Sequence, residues 1–534
     1  MIELSKARNQ RLLAVHGWSG TLLGLFLYVV VLTGTLSVIS HELGIWSAGG
    51  VTLKQPLAVP LDEIVRDQAN VTRAEWLEEI GIFQSMSGNL LLWLHTHDKH
   101  PDTGGIEDFG RLVEVNPHDG ALLRETEGWG RDVFASDPVS ALEQFIVDLH
   151  VTLHLPEPWG LYATGILGFV MLLAAITGLL IHRHLIREVF LSPRQSGALL
   201  TKRDRHVLAG TWSLVFAFIV SFTGAFYSFA ATVALPVVAA TGFGGDQQAM
   251  LETLLGVPAT EDDTAIKLAG LDAMKATAWE ETGTVPDFIS ISHYGRADAR
   301  VLMNHPPAQG DLNGPVLAFN GSSGDFIGVK PTIGTEPSIG ASLLLLMGPL
   351  HFGHFAGLLS KAIWVGLGIA MCYVTLTGLQ LWVQRRNEDP VWRAFGHWIS
   401  VVGVGTPLAL AVCGHGFFAA LALSSEPAMG TAWTFTVVAS AIVLAGVVMR
   451  HLTLQLERCL AWGTVLALAL LPLTRLLCGG PGWMAAIAEG DALVMGVDLL
   501  MLSTAACLAL WQMPGLRRRF SGLGLPAVER AATA

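Results

Sequence analysis

The chain has 534 residues, of which 51% are hydrophobic and only 14% are charged, and its formal net charge is -12. The apolar residues are concentrated in uninterrupted stretches that are long enough to cross a bilayer, which takes about 20 residues. This pattern excludes a soluble globular protein. It also excludes a nucleic-acid-binding protein, because neutralising phosphates requires clustered Lys and Arg side chains on an accessible face.

All five cysteines lie in or beside apolar stretches, and no two of them form a CxxC pair. Metal-binding thiolates and disulfide frameworks need cysteines at characteristic spacings in polar or secreted segments. The cysteine pattern therefore disfavours iron–sulfur clusters, thiol redox chemistry and disulfide cross-links.

Eight apolar stretches are predicted to span the membrane. They cover residues 13–40, 160–181, 207–238, 358–384, 398–423, 432–449, 460–477 and 492–512. The first follows a basic N-terminus, as in a signal peptide, but its apolar run is too long and lacks a small-residue cleavage site, so we interpret it as a retained span. The last four are joined by short loops and are predicted to form an appended bundle at 390–520.

Basic residues in the connecting segments predict the orientation of the spans. Lys and Arg are enriched before the first span, in the predicted loop at 186–205 and after the fourth span. The positive-inside rule assigns this side to the cytoplasm, so both termini, including a tail at 521–534, are expected on the inner side of the membrane. The polar segments at 42–150 and 241–350 are then expected to be periplasmic. The first four spans are assigned to residues 1–41, 151–185, 206–240 and 351–385.

The first and third spans share a histidine pattern. His16 precedes the glycine of the Thr-Gly dipeptide at 33–34 by 18 residues, and His206 precedes that of the dipeptide at 223–224 by the same 18. Matched spacing in separate parts of a chain indicates an internal repeat.

The second and fourth spans carry another shared pattern. His154 precedes the Thr-Gly glycine at 178 by 24 residues, and His354 precedes the one at 378 by 24. His150 and His351 lie about one turn earlier, and their spacings to the same glycines differ by one residue. His154 and His354 are therefore the better-matched pair.

The two polar segments repeat as well. Each begins with a helix-compatible stretch, continues with short strand-like runs and closes on a hairpin whose turn contains Asn and Gly. The corresponding pieces are 61–80 and 265–281, 90–95 and 288–293, and the turns at 116–120 and 320–324.

Residues 1–185 and 206–385 are thus predicted to be two copies of one unit, in which an α+β domain lies between two spans. Parallel copies are expected to be related by a pseudo-twofold axis along the membrane normal. The predicted fold class is a polytopic α-helical membrane protein with about eight transmembrane helices, whose duplicated two-helix unit carries two periplasmic α+β domains.

Such an axis would bring equivalent histidines face to face. His16 and His206 would form a pair near the cytoplasmic face, and His154 and His354 would form a pair near the outer face. Two neutral imidazoles on facing helices are the ligands that six-coordinate haem iron requires. The sequence therefore predicts two haem sites whose iron is bound by these four residues.

Four further residues are assigned to the haem sites. Gly20 and Gly210 lie one turn after the first pair and would leave room for a flat porphyrin. His150 and His351 are rival ligands for the second pair, or hydrogen-bond partners of a propionate or the substrate. The competing interpretation is that border histidines bind headgroups or loop carbonyls, although an intramembrane histidine is by default functional.

A histidine cluster, His95-Thr-His97-Asp-Lys-His100, lies in the first polar segment. Imidazole is a good ligand for zinc, copper and iron, so the cluster is a candidate metal site. A short polar loop rich in histidine is the alternative.

The first 385 residues resemble the PepSY-associated transmembrane family, which contains bacterial inner-membrane ferric-siderophore reductases. The resemblance rests on His16 to Thr33-Gly34, Ser40-His41-Glu42-Leu43, Leu149-His150 to Thr177-Gly178, Arg205-His206 to Thr223-Gly224, and Leu350-His351 to Thr377-Gly378. The turns at 116–120 and 320–324 are similar to those of PepSY domains.

The resemblance implies a four-helix core that holds two haem b groups. It also implies that a ferric-siderophore is reduced on the periplasmic side, which releases the iron as the ferrous ion. The sequence has no GxGxxG motif, and its longest inside loop, of about 25 residues, is too short for a flavin or nicotinamide domain. The electron donor is therefore expected to be a membrane quinol or an unidentified protein.

Two other classes of function fit the sequence. One is a membrane-anchored sensor or protease-inhibiting module, whose PepSY-like domains bind a partner while the histidines are structural. The other is a transporter of siderophore or metal, which the repeat and the four extra spans favour. The first four spans contain almost no charged relay residues, but Asp491, Asp498 and Arg475 in the appended bundle keep a transporter in consideration.

Overall fold

The structure is a computed structural model of the chain. It describes residues 5–48, 57, 59–101, 106–135, 137–182, 190, 193–194, 197–255, 260–308, 311–334, 336, 338–423, 425–488 and 492–513. The predicted tail at 521–534 and part of the predicted loop at 186–205 lie outside the described residues.

The described residues form nineteen α-helices and eight strands. The helices are α1 (Lys6–Ser37), α2 (Ser40–Ala48), α3 (Asp62–Val71), α4 (Gly130–Ala135), α5 (Ala141–Val151), α6 (Trp159–Ile181), α7 (Ala198–Trp212), α8 (Leu214–Phe229), α9 (Leu235–Gly242), α10 (Gln247–Leu255), α11 (Leu271–Thr282), α12 (Ile339–Leu345), α13 (Met347–Phe352), α14 (Gly357–Gln384), α15 (Pro390–Ala422), α16 (Pro427–Val448), α17 (Thr453–Leu477), α18 (Trp483–Ala488) and α19 (Leu493–Gln512). The strands are β1 (Glu79–Gln84), β2 (Leu90–Lys99), β3 (Ile106–Val115), β4 (Leu122–Trp129), β5 (Phe288–Ser292), β6 (Arg300–Asn304), β7 (Val316–Asn320) and β8 (Phe326–Lys330).

The chain forms two compact units. The helical unit contains the described parts of Met1–Leu43, Ala141–Ala234 and Leu350–Ala534, and the sheet unit contains those of Gly44–Ser140 and Leu235–Pro349.

Seven helices of the helical unit are long and apolar enough to cross a membrane, and α7 with α8 forms an eighth, bent candidate. The bend of 63° lies at Ser213, whose hydroxyl donates to the Ala209 carbonyl at 2.8 Å. A serine that bonds to the carbonyl four residues back often bends a helix. The prediction of a polytopic helical membrane protein with about eight spans is confirmed.

Four of these spans form a closed ring. Helix α1 packs against α6 and α14, α6 packs against α8, and α7 packs against α14. The appended helices join this ring through α15, which packs on α14, and the Tyr28 hydroxyl donates to the Gly403 carbonyl at 2.6 Å. The ring therefore brings together the two helix pairs of the internal repeat.

The sheet unit contains one antiparallel sheet of eight strands in the order β4-β3-β2-β1-β5-β6-β7-β8. The polar segments were expected to form two domains, but β1 and β5 pair from Glu79–Ser292 to Phe83–Phe288 and join the halves. Antiparallel pairing of equivalent strands is the result of a twofold axis that passes between them. The two predicted α+β segments therefore share a sheet and a hydrophobic core.

The predicted hairpin turns have the same structure in both halves. Gly120 and Gly324 have φ angles of 67° and 82°, and each donates its N–H to the carbonyl of the asparagine four residues earlier. Glycine adopts this left-handed conformation at little cost. The helix expected at 61–80 was too long, because α3 ends at Val71 and β1 starts at Glu79.

Helices α3 and α11 cap each other with equivalent aspartates. Asp62 accepts a hydrogen bond from the Leu271 N–H at 2.6 Å, and Asp272 accepts from the N–H groups of Leu61 and Asp62 at 3.0 and 3.1 Å. The first N–H groups of a helix have no partner inside the helix, so such caps stabilise it.

Replacing Asp62 or Asp272 by alanine is expected to lower the free energy of unfolding of the sheet unit by about 1 kcal/mol each. Burial raises the pKa of the Asp272 carboxyl, but the hydrogen bonds from Lys275 and from the Leu61 and Asp62 N–H groups lower it more. The stabilisation by Asp272 is therefore present above the ordinary aspartate pKa of about 3.9 and is lost as the pH falls below it.

Hydrogen exchange of β1 and β5 amides in full-length protein, measured across urea concentrations, reports this stability directly. Asp67→Ala is the matched control, because Asp67 is exposed on the same helix. Equal losses in the control and in the cap variants would show that the caps contribute nothing specific.

Candidate functional site

Two histidines from different copies of the repeat meet inside the ring of spans. The rings of His16 in α1 and His206 in α7 have centroids 6.4 Å apart, with an angle of 72° between their planes. This is the pairing that the spacing of 18 residues predicted.

Both rings are held through the same nitrogen. His16 Nδ1 lies 3.0 Å from the Ala174 carbonyl and 3.0 Å from the Thr177 hydroxyl. His206 Nδ1 lies 3.0 Å from the Val374 carbonyl, and Thr377 Oγ1 is 3.2 Å away. A carbonyl can only accept, so Nδ1 carries the proton in both rings. In the neutral imidazole Nε2 is then a lone-pair donor that is available to a metal.

A second histidine pair has nearly the same spacing. The rings of His150 in α5 and His351 in α13 have centroids 6.3 Å apart and an interplanar angle of 28°. His150 Nδ1 lies 2.9 Å from the Val30 carbonyl, and His351 Nδ1 lies 2.8 Å from Thr223 Oγ1. Thr223 already donates its hydroxyl proton to the Ile219 carbonyl, so it accepts from the ring. Both rings of this pair are therefore also protonated on Nδ1.

Each of the four Thr-Gly dipeptides contacts the imidazole ring of one of these histidines. The dipeptide at 177–178 contacts His16, and the one at 377–378 contacts His206. Gly34 faces the His150 ring, and the dipeptide at 223–224 contacts His351. In every case the dipeptide and the histidine lie on different helices of the same repeat copy. A Cβ atom would lie within 3.3 Å of the imidazole at Gly34, Gly224 and Gly378, so glycine leaves space for the ring there.

The predicted pairing of His154 with His354 is corrected by the structure. His154 lies beyond the end of α5 with a positive φ of 54°, and its ring contacts Phe145. His354 lies beyond the end of α13, and its ring contacts Phe352. Both are exposed, whereas His150 and His351 lie in the preceding helices and are half-buried. The helix breaks place His150 and His351, and not the residues after them, against the spans.

The two predicted porphyrin-facing glycines are next to open space. A Cβ atom at Gly20 would meet no atom within 4 Å, and one at Gly210 would meet only Val374 Cγ1 at 4.0 Å. Neither glycine therefore has a neighbouring side chain in close contact with the position of a Cβ atom.

The two histidine pairs lie at different depths in the helix ring. His150 bonds to Val30, which is 14 residues after His16 on α1. A rise of 1.5 Å per residue places the pairs about 21 Å apart along that helix. This separation is about two thirds of the roughly 30 Å thickness of a bilayer's hydrocarbon core.

Two histidines of the appended bundle, His397 and His415, use both ring nitrogens in hydrogen bonds. His397 bonds to Thr453 and to the Gly446 carbonyl, each at 2.8 Å. His415 bonds to Thr474 at 2.8 Å and to the Ala467 carbonyl at 3.0 Å. These rings join neighbouring helices and have no nitrogen left for a metal, in contrast to the four core histidines.

The charged residues of the appended bundle form a buried ion pair. Arg475 donates to Asp498 at 2.9 Å, and both side chains are 2% exposed. The Trp483 indole also donates to Asp498, at 2.8 Å. Such a pair ties α17 to α19, and this gives Arg475 and Asp498 a structural role. Asp491 lies outside the described residues.

The hydrogen-bond partners of the histidines were not predicted from the sequence, where the Thr-Gly dipeptides defined only spacings. Yet 18 residues of helix separate Gly34 from His16 by about 27 Å, which is too far for contact. That distance indicates that each dipeptide must serve a histidine from another helix.

Comparisons with known proteins give one family and one relative. The family model described as the PepSY-associated TM region matches residues 13–385. An uncharacterized protein of Pseudomonas aeruginosa is 24% identical over 258 residues, which is 46% of this chain and 64% of the relative. The chain thus spans less than two thirds of the length of the curated relative that it matches.

Proposed function

The chain belongs to the PepSY-associated transmembrane family, and we propose that it is a haem-containing membrane reductase that passes electrons to a ferric-siderophore. The observation that carries this proposal is the presence of two facing histidine pairs. Each of the four rings is fixed through Nδ1 by a carbonyl or a threonine hydroxyl. Outer hydrogen bonds of this kind hold metal-binding imidazoles in place.

The spacing of the pairs fits an iron between the rings. An imidazole nitrogen lies about 2 Å from a bound metal ion, so two rings on opposite sides of the ion have centroids roughly 6 Å apart. The centroids here are 6.4 and 6.3 Å apart. Two haem b groups, one held by His16 and His206 and one by His150 and His351, are therefore the proposed cofactors, and they would supply one-electron transfer.

The proposed location is a bacterial inner membrane, with both termini in the cytoplasm. Three basic residues precede His16 on α1, namely Lys6, Arg8 and Arg11, and basic residues also surround His206. The positive-inside rule then places the His16–His206 pair near the cytoplasmic face and the His150–His351 pair near the periplasmic face. Electrons would cross the membrane from the first pair to the second.

The proposed donor is a membrane quinol or an unidentified protein. Oxidation of one quinol releases two electrons and two protons, so it can reduce two ferric ions to ferrous ions. Hard oxygen chelators bind the ferrous ion more weakly than the ferric ion, and the ferrous ion therefore leaves the siderophore.

The proposal predicts that the purified protein is red and reduces ferric chelates. Its Soret band should shift on addition of dithionite, and reoxidation by a ferric hydroxamate should form ferrous ion that a ferrous-specific dye traps. A protein lacking haem after expression with ample haem supply would contradict the proposal and favour a partner-binding module. A haem protein whose reduced form is not reoxidised by any ferric chelate would rule out the substrate class.

A further inference from the structure

Four potential metal ligands converge on one face of the sheet unit. His95 Nε2 lies 3.9 Å from Glu79 Oε2 and 3.8 Å from Asp108 Oδ2. His97 Nε2 lies 3.8 Å from Glu79 Oε2 and 3.5 Å from Asp108 Oδ1. These separations are longer than ordinary hydrogen bonds. The four groups therefore surround a common point and do not form short hydrogen bonds with one another. Ligands about 2 Å from a tetrahedral ion lie roughly 3.4 Å apart, which is close to this geometry.

The strand register explains why these side chains meet. Glu79 of β1 is directly opposite His95 of β2, and His97 of β2 is directly opposite Asp108 of β3. Alternate residues of a strand share a face, so His95 and His97 point to the same side. Gly110, opposite His95, has no side chain to occupy the gap, and a Cβ there would lie 2.6 Å from His95 Cα.

Outer polar contacts orient three of the four groups. His95 Nδ1 lies 3.3 Å from the Trp93 carbonyl, which can only accept, so Nε2 keeps its lone pair for the cluster. His97 Nδ1 faces Glu78 Oε1 at 3.5 Å. Ser290 donates to Glu79 Oε1 at 2.8 Å and leaves Oε2 for the cluster. Carboxylate and carbonyl partners on the distal nitrogen are the usual surroundings of zinc-bound histidines.

We propose that Glu79, His95, His97 and Asp108 form a binding site for a divalent first-row transition-metal ion. Two imidazoles select against calcium and magnesium, and two carboxylates balance the charge of a divalent ion. His95 is 5% exposed while His97 is exposed, so the site has a fixed inner side and an open outer side. His100, the third histidine of the motif, instead packs its ring on Trp129 at 4.5 Å. The site is independent of the proposed haem chemistry.

Zinc titration of full-length protein in detergent, in competition with a chromophoric chelator, tests the site. We expect His97→Ala and Glu79→Gln to weaken the binding of one zinc equivalent at least tenfold. Glu78→Gln should weaken it by a smaller factor than either of these, because Glu78 only supports His97. His118→Ala is the matched control, since His118 is exposed on the hairpin turn of the same sheet, and it should bind zinc as the wild type does.

Folding is checked by the unfolding midpoint without metal, which should be the same in His97→Ala and the wild type. Added zinc should raise the midpoint of the wild type and of His118→Ala by the same amount, and should raise that of His97→Ala and Glu79→Gln much less. Zinc binding by His97→Ala and Glu79→Gln with unchanged stoichiometry and affinity would overturn the proposal.

Discussion

Protein in which both His150 and His351 are replaced by alanine is expected to contain one haem equivalent where the wild type contains two. The two rings face each other at 6.3 Å, and their Nδ1 atoms are already engaged by Val30 and Thr223. Removing both imidazoles removes the two side chains that would hold the proposed haem of this pair. Pyridine haemochrome analysis per mole of protein measures the loss.

Matched variants make this prediction specific. Replacing His16 and His206 should remove the other haem, and the remaining signals of the two double variants should add up to the wild-type spectrum. Replacing His154 and His354, which lie beyond the ends of α5 and α13, should leave both haems in place. Loss of a haem in that last variant, with both haems retained after removal of His150 and His351, would restore the pairing predicted from the spacing of 24 residues.

The contrast between the two pairs shows what histidine spacing can and cannot predict. His16 and Gly34 lie in one continuous helix, and between His206 and Gly224 the span only bends at Ser213, so both counts stay within one span. From His154 to Gly178 the count crosses the loop between α5 and α6, and from His354 to Gly378 it crosses the loop between α13 and α14. A count that starts in such a loop does not fix the direction of a side chain, and the histidines that face each other lie in the preceding helices.

The sequence did not predict that the two polar segments form a single sheet. The strand pattern and the Asn-Gly turns predicted hairpins, and both turns formed as expected. The partner of an edge strand, however, depends on which other edge the fold brings beside it. Strand β1 pairs with β5, more than 200 residues later, so only the tertiary structure shows a single sheet.

The cluster around His95 illustrates the same limit. The motif His95-Thr-His97 suggested a metal site, but Glu79 and Asp108 come from neighbouring strands and were not identified. Their positions follow from the strand register, which places each carboxylate opposite one histidine. The residues that a carboxylate of a predicted strand will face cannot be identified until the pairing and register of the strands are known.

Replacing Gly34 by alanine is expected to disrupt the haem site of the His150–His351 pair selectively. An added Cβ at Gly34 would lie 2.6 Å from His150 Cε1 and 2.9 Å from Nδ1, so the ring must move away from the Val30 carbonyl. Overpacking of this kind costs about 1–3 kcal/mol, and displacing an axial ligand should convert one haem from low spin to high spin. Electron paramagnetic resonance of the oxidised protein distinguishes these states.

The glycines of the other three Thr-Gly dipeptides provide a graded control. A Cβ at Gly178 would lie 3.5 Å from His16 Cε1, an ordinary contact, so Gly178→Ala should leave both haems low spin. At Gly378 and Gly224 the corresponding distances are 3.1 and 3.3 Å, and intermediate effects are expected there. The order of spin conversion should therefore follow the contact distances, with Gly34→Ala the largest. Equal spectra for Gly34→Ala and Gly178→Ala would mean that the Thr-Gly dipeptides do not position the histidine rings. The proposed haem assignment would then lose its structural support.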